Sequence, residues 1–286
     1  MSAATTDWTT LIDAETLAAA LDAADLRIFD CRFALNDPVA GEQAWRQSHL
    51  PGAQYAHLDR DLSGPHRPGA GRHPWPEAAA FGAWLGRCGV APHTRVVAYD
   101  AGDGAYAARL WWLLRCFGHR EVAVLDGGFA RWTALGLPVS AETPSFPPAR
   151  YDAAFDASRL LDADAVRQAL VAGDVLIDAR AVERFRGEVE PIDRVAGHVP
   201  GARNRPYAMN LRDGRFKPSS ELAAEFAALL DGHPPQRAIA MCGSGVTACH
   251  HLLAMAHAGL TGARLFTGSW SGWIEDPARP IATGEH

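Results

Sequence analysis

Cysteine is scarce in this 286-residue chain: Cys31, Cys88, Cys116, Cys242 and Cys249 form an odd set with no CxxC pair and no short-spaced framework. A disulfide scaffold is therefore excluded, and reduced thiols in a cytoplasm fit best. Excess positive charge is also missing. The formal net charge of -6 gives no electrostatic reason to expect nucleic acid or an anionic membrane as partner. No apolar run approaches the length that spans a bilayer. Met1 to Ala20 carries Asp7, Asp13 and Glu15 in place of a basic stretch followed by an apolar core, so no secretory signal is expected. A soluble, cytoplasmic protein is the expectation.

The length suits two hydrophobic cores, and internal matches divide the chain accordingly. Leu26-Arg27-Ile28-Phe29-Asp30, followed by His49-Leu50-Pro51-Gly52-Ala53, corresponds to Leu176-Ile177-Asp178 followed by His198-Val199-Pro200-Gly201-Ala202. Arg95 to Asp100 matches Arg237 to Cys242, and Gly127-Gly128-Phe129 with Trp132 matches Gly268-Ser269-Trp270 with Trp273. The offsets stay near-constant, 148 for Asp30 to Asp178 and 142 for Asp100 to Cys242. This is the pattern of a duplicated domain and not of a short-period solenoid. The Pro-rich stretch from Pro138 to Pro148 reads as the crossing between copies. The expected domains are 1–138 and 159–286, with 139–158 as linker. Apolar strand-like runs at Val175-Asp178, Arg237-Met241 and Ala263-Phe266 alternate with helix-like stretches near Glu221-Leu230 and Val246-Ala258. That alternation predicts an α/β fold, each domain a mainly parallel sheet flanked by helices.

The copies differ where chemistry would lie. Cys242 closes a strand and opens the loop Gly243-Ser244-Gly245-Val246-Thr247, while Asp100 takes its place in the N-terminal copy. Two glycines around Ser244 let backbone N–H groups converge at the start of the next helix, an arrangement that holds an anion and lowers a thiol pKa. Cys242 is thus a candidate nucleophile. The N-terminal copy, lacking one, is expected to supply polar groups to a crevice between the copies. A cysteine phosphatase would need arginine at the sixth position after the nucleophile, where this chain has Ala248. Cys249, His250, His251 and His257 would face different sides of one helix, and no metal or other cofactor is expected.

These residues together resemble the two-domain sulfurtransferases, the rhodanese and 3-mercaptopyruvate sulfurtransferase family, over about Leu11 to Trp273. The markers include the Asp30 and Asp178 strand ends, both His-x-Pro-Gly-Ala turns, Arg109-Leu110-Trp111-Trp112, Leu125-Asp126-Gly127-Gly128 and the loop after Cys242. The resemblance implies tandem rhodanese-like domains and a persulfide on Cys242. It also implies a relay of Ser244, His73 and Asp59, and donor-carboxylate binding by Arg184. The family's second arginine aligns with Ile192, which leaves Arg194, two residues on, as its substitute. The uncharged loop resembles the mercaptopyruvate branch. The expected activity is sulfur transfer from 3-mercaptopyruvate to cyanide or a thiol such as thioredoxin, with pyruvate released, by a chain that has no need to dimerise. Thiosulfate:cyanide transfer and a non-catalytic persulfide carrier are the alternatives.

Overall fold

The computed structural model describes residues 8–152 and 154–285. The chain divides into two compact units. The first comprises residues up to Asp61 and Ala78–Phe155, the second Leu62–Glu77 and the chain from Asp156 onward. Residues 62–77, expected in the N-terminal domain, thus belong to the second unit, and the Pro-rich stretch follows the first. There Ala149 donates its N–H to the Gly86 carbonyl, and the Arg27 guanidinium lies 4.0 Å from the centre of the Phe146 ring.

In the first unit, strands β1 (Leu11–Ile12), β2 (Leu26–Asp30), β3 (Ala53–Tyr55), β4 (Arg95–Tyr99) and β5 (Val122–Leu125) pair in the order β1-β5-β4-β2-β3. All four pairings are parallel. Parallel sheets need helices on both faces, so their strands read as continuous apolar runs. Val96, Val97, Ala98 and Tyr99 are accordingly all buried. The helices are α1 (Ala14–Ala18), α2 (Ala40–Gln47), α3 (Ala78–Arg87), α4 (Ala107–Cys116) and α5 (Gly128–Ala134).

The second unit repeats this plan. Strands β6 (Leu160–Leu161), β7 (Val175–Asp178), β8 (Arg203–Asn204), β11 (Ala238–Met241) and β12 (Arg264–Phe266) form a parallel sheet in the order β6-β12-β11-β7-β8, which becomes the first order when corresponding strands are exchanged. A small antiparallel pair, β9 (Leu211–Arg212) and β10 (Arg215–Phe216), is added. Helices α6 (Ala163–Val171), α7 (Val182–Arg186), α8 (Ser219–Leu230), α9 (Ala248–His257) and α10 (Ser269–Trp273) complete it. The strands and helices read from this half of the sequence are all present, with ends shifted by a residue or two where turns take over.

The duplication extends to hydrogen bonds. Asp13 and Asp162 cap α1 and α6, accepting from the N–H groups of Thr16 and Ala165. Buried Asp30 pairs with Arg32, and buried Asp178 with Arg180, each at 2.6 Å. Removing one partner of such a pair would strand a charge in the core. Trp270 and Trp273 join the core of the second unit, and their indole N–H groups donate to the carbonyls of Val195 and Pro280, both at 2.9 Å. Parallel register sets Met241 beside Asp178. The residue after Met241 therefore emerges at the carboxyl ends of the strands, where open α/β sheets place their sites.

Candidate active site

That residue is Cys242, 1% exposed, at the head of the loop leading to α9. Gly245 takes φ +75°, which bends the loop back so that Ser244 and Val246 are also buried. The Cys242 N–H donates to the Ser269 hydroxyl at 3.1 Å, and that hydroxyl donates to the Phe266 carbonyl at 3.0 Å. Ser269 holds φ +49°, a conformation costing a non-glycine residue about 1 kcal/mol. The first-unit counterpart is Gly128. Ser269 was not singled out from sequence, although a serine replacing the second glycine of the repeat is a visible signal.

The corresponding loop of the first unit shows what this backbone path binds. The Asp100 carboxylate accepts from the N–H groups of Gly102 (3.1 Å), Gly104 (2.9 Å), Tyr106 (2.9 Å) and Ala107 (3.2 Å). Burial, aided by the nearby Asp103 charge, raises its pKa to about 6 against the pull of those donors. A strand–loop–helix turn of this kind is an anion cradle. In the second unit, Cys242 stands where that carboxylate is attached.

Residues 62–77 carry further groups to this loop within the second unit. Glu275 accepts from the N–H groups of Gly69 and Gly71, and the Arg72 N–H donates to the Ser271 hydroxyl at 3.0 Å. At Gly71, with φ +76°, a Cβ would fall 2.4 Å from the Gly268 carbonyl oxygen, so only glycine permits this approach. The docking delivers His73, 3% exposed, whose Nδ1 lies 2.7 Å from the Ser244 hydroxyl. It also delivers Arg72. A Cβ added to Gly243 would lie 3.3 Å from Arg72 Nη2 and 3.6 and 3.7 Å from Arg184 Nη2 and Nη1, so both guanidinium groups face the residue next to Cys242.

Acids hold these cations in place. Glu190 grips Arg184 through Nε and Nη2 at 3.1 and 2.8 Å, and it accepts from the N–H groups of Ile192 and Asp193. Burial opposes the Glu190 charge, but Arg184 and those N–H groups bring its pKa below the usual value. Asp193 bridges the two arginines, at 2.6 Å from Arg72 Nη1 and 3.0 Å from Arg184 Nη2.

A rhodanese-like domain model matches residues 13–135 and again 162–276. The chain belongs to the rhodanese family. This tandem rhodanese-family protein is 50% identical over 279 residues to a probable 3-mercaptopyruvate sulfurtransferase of Pseudomonas aeruginosa, covering 96% of this chain and 98% of that one. It is 41% identical to a putative thiosulfate sulfurtransferase of Mycobacterium tuberculosis, covering 96% and 97%. Among solved structures it superposes on the 3-mercaptopyruvate sulfurtransferase of Escherichia coli with a TM-score of 0.79 and 32% identity, covering 93% of this chain and 100% of the other.

Of the site residues expected from sequence, the second unit of this rhodanese-family protein brings together Cys242, Gly243, Ser244, Gly245, Val246, Thr247, His73 and Arg184. Arg194 is directed elsewhere and donates to the Ile274 carbonyl. Asp59 is an exposed residue of the first unit, its N–H 3.1 Å from His57 Nδ1. Arg72 and Asp193 were not anticipated. Among the described residues no group of three His, Cys, Asp or Glu side chains could hold a metal ion, and no helix is long and apolar enough to cross a membrane.

Proposed function

We propose that this protein is a 3-mercaptopyruvate sulfurtransferase that carries the transferred sulfur on Cys242. The Cys242 thiolate attacks the donor sulfur, the S–C bond breaks, and its electron pair leaves as the enolate of pyruvate. The donor's thiol proton and the protonation of that carbon both require an acid–base group. The His73–Ser244 contact of 2.7 Å, buried beside the nucleophile, carries the reading. Release of sulfite from thiosulfate has no carbon to protonate and no need of such a relay. Asp59 is assigned its third place by family resemblance. An acceptor, either cyanide or a thiol such as thioredoxin, then takes the outer sulfur and restores the Cys242 thiolate, giving ping-pong kinetics. Five free cysteines accord with a reducing cytoplasm, and a loop, relay and arginine pair all supported by one chain accord with a monomer.

Arg184 and Arg72 are the proposed ligands of the donor carboxylate, since planar guanidinium groups match it in a way lysine cannot. Arg194, hydrogen-bonded to Ile274, fits this role less well. A second reading, thiosulfate as donor, draws on the same two cations, because they supply outside the loop the positive charge that the loop itself lacks. Steady-state transfer to cyanide with each donor in parallel decides between them. A clear excess of kcat/KM for mercaptopyruvate is expected, and an excess for thiosulfate would reject it as the preferred donor.

Arg184→Lys should lower kcat/KM for mercaptopyruvate by about tenfold or more while moving the denaturation midpoint little. An unchanged kcat/KM would remove Arg184 from the donor site.

A further inference from the structure

The two arginines beside Cys242 do not present two free charges. Arg72, Arg180 and Arg184 are matched by Asp178, Glu190 and Asp193 within one connected network. Glu190 pairs with Arg180 and Arg184, whereas Asp193 spans Arg72 and Arg184, the pair that faces Gly243. Its side chain is only 4% exposed, so solvent screens its charge weakly. We propose that Asp193, by bridging Arg72 and Arg184, sets the charge beside Cys242 and so selects a singly charged α-keto thiol over the thiosulfate dianion.

The selection is electrostatic. Mercaptopyruvate brings one carboxylate and a thiol that is mostly protonated near neutral pH. Thiosulfate brings two negative charges, and each meets the Asp193 carboxylate as well as the guanidinium groups. At separations of a few ångströms in a partly desolvated site, one added like charge changes binding by at least about tenfold. The doubly charged donor is therefore penalised more heavily. Asp193 also ties both guanidinium groups to one carboxylate, which restricts their independent movement.

This inference rests on the sulfurtransferase reading, and the experiment separates the two. The ratio of kcat/KM for thiosulfate to kcat/KM for mercaptopyruvate is measured in the wild type, Asp193→Asn, Asp193→Glu and Arg72→Gln, each checked for folding by thermal melting. Asp193→Asn should raise the ratio about tenfold, and Asp193→Glu, which keeps the charge, should leave it within about twofold even if both activities fall. Arg72→Gln, with Asp193 retained, should move the ratio the other way, so the proposal stays testable if Asp193→Asn does not fold. Equal losses with both donors in Asp193→Asn, the result of a purely structural role, would overturn it, as would a ratio unmoved in Arg72→Gln. A wild type active with either donor but with an unmoved ratio rejects only the Asp193 assignment. A wild type inactive with both rejects the function and the inference together.

Discussion

Replacing Cys242 by serine should reduce transfer from either donor by about 10⁴-fold or more while leaving the fold intact. The chemistry demands sulfur at this position, because a hydroxyl is a poor nucleophile toward a sulfur atom and cannot store one as a persulfide. The structure permits the exchange. The Cys242 N–H bond to Ser269 is a backbone bond that the substitution retains, and one smaller atom in a buried position should cost no more than about 1 kcal/mol.

Competing thiols are poorly placed to take over. Burial, reinforced by the Asp30 and Asp100 charges, raises the Cys31 pKa well above its usual value, and burial pushes Cys88 up to about 12. Cys116 and Cys249 are fully buried, and the Cys249 thiol is turned to the Gly245 carbonyl at 3.4 Å. Wild-type protein treated with mercaptopyruvate without acceptor should gain the mass of one sulfur atom, and Cys242→Ser should gain none. Turnover or sulfur uptake persisting in the variant would assign the nucleophile to another residue. Sulfur uptake by the wild type without multiple turnover would favour a carrier.

The duplicated plan was readable because strands buried on both faces leave continuous apolar runs, and because Asp30, Asp178 and the two His-x-Pro-Gly turns are chemically distinctive. Local signals also marked the candidate nucleophile: a strand end, two glycines and a helix start lie within a few residues of Cys242. What could not be read depends on distant contacts. Residues 62–77 belong to the second unit through bonds such as Gly71 to Glu275, about which the sequence around Arg72 says nothing. The family resemblance left Arg194, two residues past the aligned Ile192, as the substitute for the second arginine. The turn at 190–194 instead folds over the Glu190 carboxylate, which accepts from two of its own N–H groups, and this aims Asp193 at the arginines and Arg194 at Ile274. Side-chain direction in an irregular turn follows no period, so no pattern in the residues foretells it.

Asp100→Ala should destabilise the protein by about 3 kcal/mol, although position 100 carries no sulfur chemistry. Four backbone N–H groups converge on its carboxylate, and alanine would leave them without that acceptor at a buried site. Charge-assisted bonds of this kind contribute about 1.5–3 kcal/mol each, but burial of the carboxylate, seen in its raised pKa, offsets much of the sum. Asp100→Asn should lose less, about 1–2 kcal/mol, because one oxygen remains to accept while the amide NH₂ faces donors. Denaturant unfolding followed by tryptophan fluorescence measures both variants, and the nine tryptophans make the transition visible. A loss below about 1 kcal/mol in Asp100→Ala would show that the N–H groups do not depend on the carboxylate. The loop would then not be an anion cradle in the copy where its anion can be seen, and an anionic sulfur on the matching loop at Cys242 would have no counterpart in the first unit.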